Sequence, residues 1–120
     1  MNFHIICYDI TGDMMIKQLN DKEMIEVINS NKDLILVLAI GHDCGLCYAA
    51  EFKINNVYAK KYPNINIYNI DITKNPLFRG NHIVFSTPTL LAFENGIEIF
   101  REAGHIDWRN FDRFLNNYFN

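Results

Sequence analysis

Cys44-Gly45-Leu46-Cys47 is the stretch whose residue types and spacing can do chemistry. Two thiols separated by two residues meet across one helical turn. Such a pair serves disulfide exchange or supplies half of a zinc site. The bland alternative is a pair of buried, inert thiols. The setting favours exchange. Leu34 to Ile40 is continuously apolar, as in a strand covered on both faces. Gly41-His42-Asp43 breaks the run, and a helix is expected to open at Cys44. Unpaired N–H groups and the positive end of the helix dipole would then surround Cys44. Both favour the thiolate, which is the attacking species in exchange. A mixed disulfide on Cys44 could be resolved by Cys47.

A metal centre would need further ligands. His4, His42, His82 and His105 are present, and only His42 lies near the pair, in strained adjacency. No metal and no organic cofactor is expected. Cys7 falls in an expected strand and reads as a small buried hydrophobe, with a sensor thiol or an intermolecular bridge as its functional alternative.

The elements that must position the pair follow from local patterns. Phe3 to Tyr8 reads as a short strand, Thr11-Gly12-Asp13 as a turn and Met14 to Leu19 as a second strand. Asn20 or Asp21 caps a helix, with Glu23 completing a capping box. Met24, Val27 and Ile28 give that helix one apolar stripe. The helix from Cys44 is expected to run to about Tyr62, where Pro63 stops it. Ile65 to Ile70 is a strand, and Thr73 to about Gly80 a short helix or loop. Thr89–Phe93 and Ile97–Arg101 flank Asn95-Gly96 and read as a hairpin. Asp107 caps a last helix carrying Trp108, Phe111, Leu115 and Tyr118 on one face. Early alternation implies parallel crossovers, and the hairpin implies antiparallel strands late. The expected architecture is α/β, a mixed sheet with helices on both faces.

The 120 residues, 49% of them hydrophobic, suit a single domain over residues 1–120 with one core. Charged residues at 21% argue against disorder. A net charge of −3 with no basic block argues against nucleic acid or an anionic membrane as partner. The first residues lack a positively charged start and a long apolar run, so a cytoplasmic protein is expected. Three cysteines cannot all pair within one chain, which argues against a disulfide-stapled secreted scaffold.

Beyond Cys44-Gly45-Leu46-Cys47, the chain carries Thr87-Pro88-Thr89, Phe93-Glu94-Asn95-Gly96 and Gly104 in register with one another. With these motifs it resembles the thioredoxin family over about Met14 to Asn120, leaving residues 1–13 as an extra N-terminal segment. The resemblance implies a thioredoxin-like three-layer fold. It implies Cys44 as the exposed nucleophile and Cys47 as the buried resolving thiol. Pro88 would be a cis-proline facing the dithiol, with the Thr87 backbone turned towards substrate. Gly104 would lie on the groove rim, where a missing side chain lets a peptide approach. Without the family, Pro88 would be a trans turn before a strand and Gly104 an ordinary loop glycine. The implied partners are disulfide-containing protein substrates, with a thiol reductase or a low-molecular-weight thiol as electron donor.

The chain departs from the family at several positions. Asp43 replaces the usual Trp before the first cysteine, and its charge opposes thiolate formation unless His42 offsets it. Gly45-Leu46 replaces Gly-Pro, and Phe52 replaces a kinking proline. Leu38 and Ile67 stand where the family has a buried Asp and a nearby Lys, so water or another group must take the proton of Cys47. The expected function is reduction of protein disulfides by the dithiol. The rivals are a redox-inactive or slow binding or scaffold module, and a metal-bridging CxxC protein.

Overall fold

The computed structural model describes residues 16–120. The expected strand at Phe3–Tyr8, the turn at Thr11–Asp13, Cys7, His4 and the segment 1–13 lie outside the described residues. Strand β1 is the short Lys17–Gln18 pair.

Helix α1 (Asp21–Ser30) begins at Asn20. The Glu23 N–H donates to Asn20 Oδ1 at 2.9 Å and the Asn20 N–H donates to Glu23 Oε1 at 3.0 Å, a complete capping box. Asp21 has a different task. Its carboxylate accepts from the N–H groups of Leu77 (3.1 Å) and Phe78 (2.7 Å), and so ties α1 to the start of α4 (Pro76–Asn81). Strand β2 (Ile35–Ile40) is buried at every position. It is the central strand of a five-stranded sheet ordered β1-β3-β2-β4-β5. Strand β3 (Asn66–Asp71) pairs parallel with β1 and β2. Strand β4 (Thr89–Glu94) runs antiparallel to β2 and to β5 (Ile97–Ala103). Asn95 (φ +52°) and Gly96 (φ +79°) form the two-residue turn, as the left-handed geometry of such hairpins requires.

Alternation along β2 sorts the core into two layers. Leu36, Leu38 and Ile40 face Cys47, Ala50 and Ile54 of the helix after β2, and Phe111 and Leu115 of α5 (Trp108–Phe119). Ile35, Val37 and Ala39 face Met24 and Ile28 of α1 and Phe78 of α4. The helices thus cover both faces, in an α/β thioredoxin-like fold. Asp107 caps α5, accepting from the Arg109 and Asn110 N–H groups. Among the described residues no helix is long and apolar enough to cross a membrane.

The helix after β2 differs from the uniform helix expected to Tyr62. It is α-helical over Gly45–Lys53 (α2), widens into a π-helical turn over Ile54–Tyr58, and closes as a short α3 (Ala59–Lys61). Phe52, at the position of the family's proline, is exposed. A widened turn, rather than a lost N–H, distorts this helix.

Candidate active site

The end of β2 delivers the chain to the motif. His42 and Asp43 make the turn, with Asp43 at φ +49°, a left-handed geometry that Asp tolerates better than most residues. Cys44 is the N-cap of α2, and the Cys47 N–H donates to its Sγ at 3.2 Å. The Cys44 carbonyl also accepts from the N–H groups of Cys47 and Tyr48. Cys44 is half-buried, whereas Cys47 is buried at 2% exposure. Their Cα atoms are 5.2 Å apart and the two sulfurs are joined as a disulfide. The Cys47 N–H aimed at Cys44 Sγ and the positive end of the helix dipole stabilise negative charge there once the bond is reduced.

Asp43 does little against this. Its side chain is 87% exposed and its carboxylate lies 3.3 Å from His42 Nε2. Bulk water screens a charge in that position and weakens its opposition to a thiolate.

Thr87 and Pro88 border the segments on either side of the pair. The Thr87–Pro88 peptide bond is cis. Thr87 packs against Gly41, three residues ahead of Cys44. A Cβ at Gly41 would sit 2.9 Å from Thr87 Oγ1. Pro88 lines a notch of about 170 Å³ together with Leu46, Ala49, Lys53, Gly104 and Trp108. The Gly104 N–H donates to the Pro88 carbonyl at 2.7 Å. Gly104 has φ +76°, and a Cβ there would meet nothing within 4 Å. Gly104 thus combines a left-handed backbone that favours glycine with open space where a side chain would stand.

Several contributors escape a reading of the sequence. Trp108 was expected only as packing for α5. It does stack on Tyr58, with centroids 5.6 Å apart, but it also walls the notch. Lys53 Nζ lies 4.8 Å from the Trp108 ring centroid, which brings a cation to the same rim. Glu51 is 1% exposed and lies one helical turn beyond Cys47 on the buried face of α2. The Asn69 amide donates to Glu51 Oε1 at 3.3 Å. Asn69 pairs with Leu38 in register, and Leu36 pairs with Ile67. Leu38 and Ile67 are indeed buried and apolar, and the polar groups of this layer sit on β3 and α2 instead. Glycine at 41 is the residue that Thr87 requires.

A larger concavity of about 410 Å³, lined by Asp33, Tyr62, Pro63 and Phe119 among others, includes no residue of the motif. The smaller notch, by contrast, is lined by Leu46 of the motif and by Pro88. Among the described residues no group of three or more His, Cys, Asp or Glu side chains is placed to hold a metal ion.

Sheet order, layers and a cysteine pair at the head of the helix after the central strand define a thioredoxin-fold protein. The thioredoxin family model matches residues 15–117. Among solved structures, Fasciola hepatica thioredoxin superposes with a TM-score of 0.73 at 21% identity, over 84% of this chain and 98% of that one. A thioredoxin mutant from Entamoeba histolytica gives 0.68 at 21% identity, over 85% and 98%. A structure from work on the thiol-resolving mechanism of a yeast mitochondrial 1-Cys peroxiredoxin gives 0.71 at 18%, over 85% and 94%. No curated protein matches the chain. The chain belongs to the thioredoxin family, whose cysteine pairs serve thiol–disulfide exchange.

Proposed function

We propose that the protein reduces disulfides in other proteins. The observation that carries this reading is the asymmetry of the pair: a half-buried Cys44 at a helix N-cap beside a buried Cys47. In the reduced protein the Cys44 thiolate attacks one sulfur of a substrate disulfide. The other substrate sulfur leaves as a thiolate, and a mixed disulfide forms. Cys47 then loses its proton and attacks Cys44 Sγ. The second substrate sulfur is expelled, and the Cys44–Cys47 disulfide remains. Two electrons pass to the substrate, and neither step calls for a metal or an organic cofactor.

The Thr87 backbone and Pro88 orient the incoming segment beside the sulfurs, and Gly104 forms the opposite rim. Glu51 is the group we assign to the Cys47 proton. Residues four apart on a helix face one another, and this carboxylate shares the buried face with Cys47. A thiol reductase or a small thiol restores the dithiol. A reducing compartment such as the cytoplasm favours this direction.

Insulin reduction tests the reading. Wild type should precipitate insulin chains far faster than Cys44→Ser in the presence of a dithiol. Equal rates would leave a binding or scaffold module. Zinc or iron in elemental analysis of the fresh protein would point to a metal-bridged dimer.

A further inference from the structure

The notch between α2 and the start of α5 is apolar on its sides and cationic at one point. Leu46, Ala49, Ile106 and Trp108 line it with apolar surface, and Lys53 and His105 supply side-chain polar groups. Its volume of about 170 Å³ falls below the roughly 300–1,000 Å³ of a site for a whole small molecule, and suits a single side chain. Leu46 is two residues from Cys44, so its Cα lies within about 7 Å of the Cys44 Cα. A side chain entering the notch therefore belongs to a segment that also meets the dithiol.

Lys53 is the last residue of α2, and its Nζ lies 4.8 Å from the Trp108 ring centroid. The indole is pinned in turn. It stacks on Tyr58 at 5.6 Å and meets Phe111 edge-on at 6.0 Å. A ring so fixed is a platform for an ammonium group. The charge on that platform is unmatched. Among the described residues no carboxylate lies within ion-pair reach of Lys53. Asp107 and Asp112, the acids nearest to Trp108 in sequence, are engaged elsewhere. Asp107 accepts from the N–H groups of Arg109 and Asn110, and Asp112 accepts from the Tyr58 hydroxyl at 2.6 Å.

A lysine at a helix end is favoured by the helix dipole alone. That reason does not apply at 53, because the helical run continues through the π turn to Lys61. What remains is a cation held over an aromatic wall at an apolar slot, beside a site that must meet other proteins. We propose that the notch takes an acidic side chain of the substrate protein, with its methylene stem against Trp108 and Leu46 and its carboxylate on Lys53. Lys53 is thereby a specificity-determining residue, and the protein prefers disulfides that carry Glu or Asp one or two residues from a cysteine. This preference rests on the disulfide-exchange reading and adds the class of substrate to it.

The test uses disulfide-closed peptides that differ only in carrying Glu, Gln or Lys beside a cysteine, reduced by the prereduced protein. At low salt wild type should reduce the Glu peptide about tenfold faster than the Lys peptide, with Gln between them. In about 1 M salt, where charges are screened beyond roughly 3 Å, the ratio should shrink. Lys53→Gln should bring the ratio close to one, and Lys53→Glu should invert it. Each ratio is taken within one protein, so a change in stability or in general activity cancels. Wild type that reduces all three peptides at equal rates overturns the proposal. So does a Lys53→Gln protein that keeps the wild-type ratio, because another charge then reads the substrate. Wild type inert towards all three would instead overturn the exchange reading itself, and the preference with it.

Discussion

Placing one methyl group at position 41 measures how tightly the motif and the proline loop are fitted. The Cβ of Gly41→Ala would stand 2.9 Å from Thr87 Oγ1, 3.4 Å from its Cγ2 and 3.5 Å from its Cβ. The last two are ordinary contacts, and the first is about 0.5 Å too short. Thr87 has little room to yield, because β-branching limits its χ1 and the following proline limits its backbone. Overpacking of this kind costs about 1–3 kcal/mol. Gly41 is not among the glycines with positive φ, so alanine also removes unfolded-chain entropy, a gain of about 0.4–1 kcal/mol. The net loss should be about 1–2 kcal/mol, or roughly 4–8 °C in Tm for a domain of this size. Insulin reduction should slow as well, since Thr87 must move relative to Cys44. Thr87→Ala removes the offending oxygen, so the double variant should regain most of what Gly41→Ala loses relative to its parent. Calorimetry on the four proteins gives the cycle. Strictly additive losses, or a Gly41→Ala protein as stable as wild type, would refute the contact as the cause.

Asn20→Ala removes the bond from the Glu23 N–H to Asn20 Oδ1, the side-chain half of the capping box, and should lower stability by about 1 kcal/mol without changing exchange rates, as denaturant unfolding and insulin assays can show. The pKa of His82 is lowered from 6.5 by burial, opposed by the Glu98 carboxylate and aided by Arg101. Because the folded value lies below the unfolded one, its contribution to stability is full above pH 6.5 and is lost as pH falls towards the folded value. Tm should therefore fall more steeply on acidification in wild type than in His82→Gln. Glu51→Gln should slow resolution by Cys47 roughly a hundredfold while sparing the attack by Cys44, so that quenched-flow sampling catches the mixed disulfide. Resolution at the wild-type rate would remove Glu51 from the mechanism.

Local chemistry was legible in the sequence where neighbouring residues settle it. The capping box at Asn20 and Glu23, the Asn95-Gly96 turn and the Asp107 cap each act within four residues, and each forms as read. The continuous apolar run ending at Ile40 identified a strand covered on both faces, and that strand proves central. Contacts between distant segments were not legible. Nothing near Gly41 names Thr87 as its neighbour, and nothing near Arg101 names the carbonyls of His82 and Ile83 as its acceptors. Glu51 on a helix reads as a solvent-facing residue. In the fold it is buried and accepts from Asn69, which arrives on β3. The π-helical turn at Ile54–Tyr58 has no proline or glycine to announce it. At Gly104 the glycine was legible and its φ of +76° was not, because that angle follows from the path of the loop.

The central claim, a working dithiol at Cys44 and Cys47, is tested most directly by equilibrating the protein with a graded series of dithiol buffers and counting thiols at each poise. The Cys7→Ser protein serves as background, so that only the pair is counted. A single reversible two-electron transition near the thioredoxin value, roughly −270 mV, is the result this account predicts. Thiols that never form a reversible disulfide at any poise would contradict it.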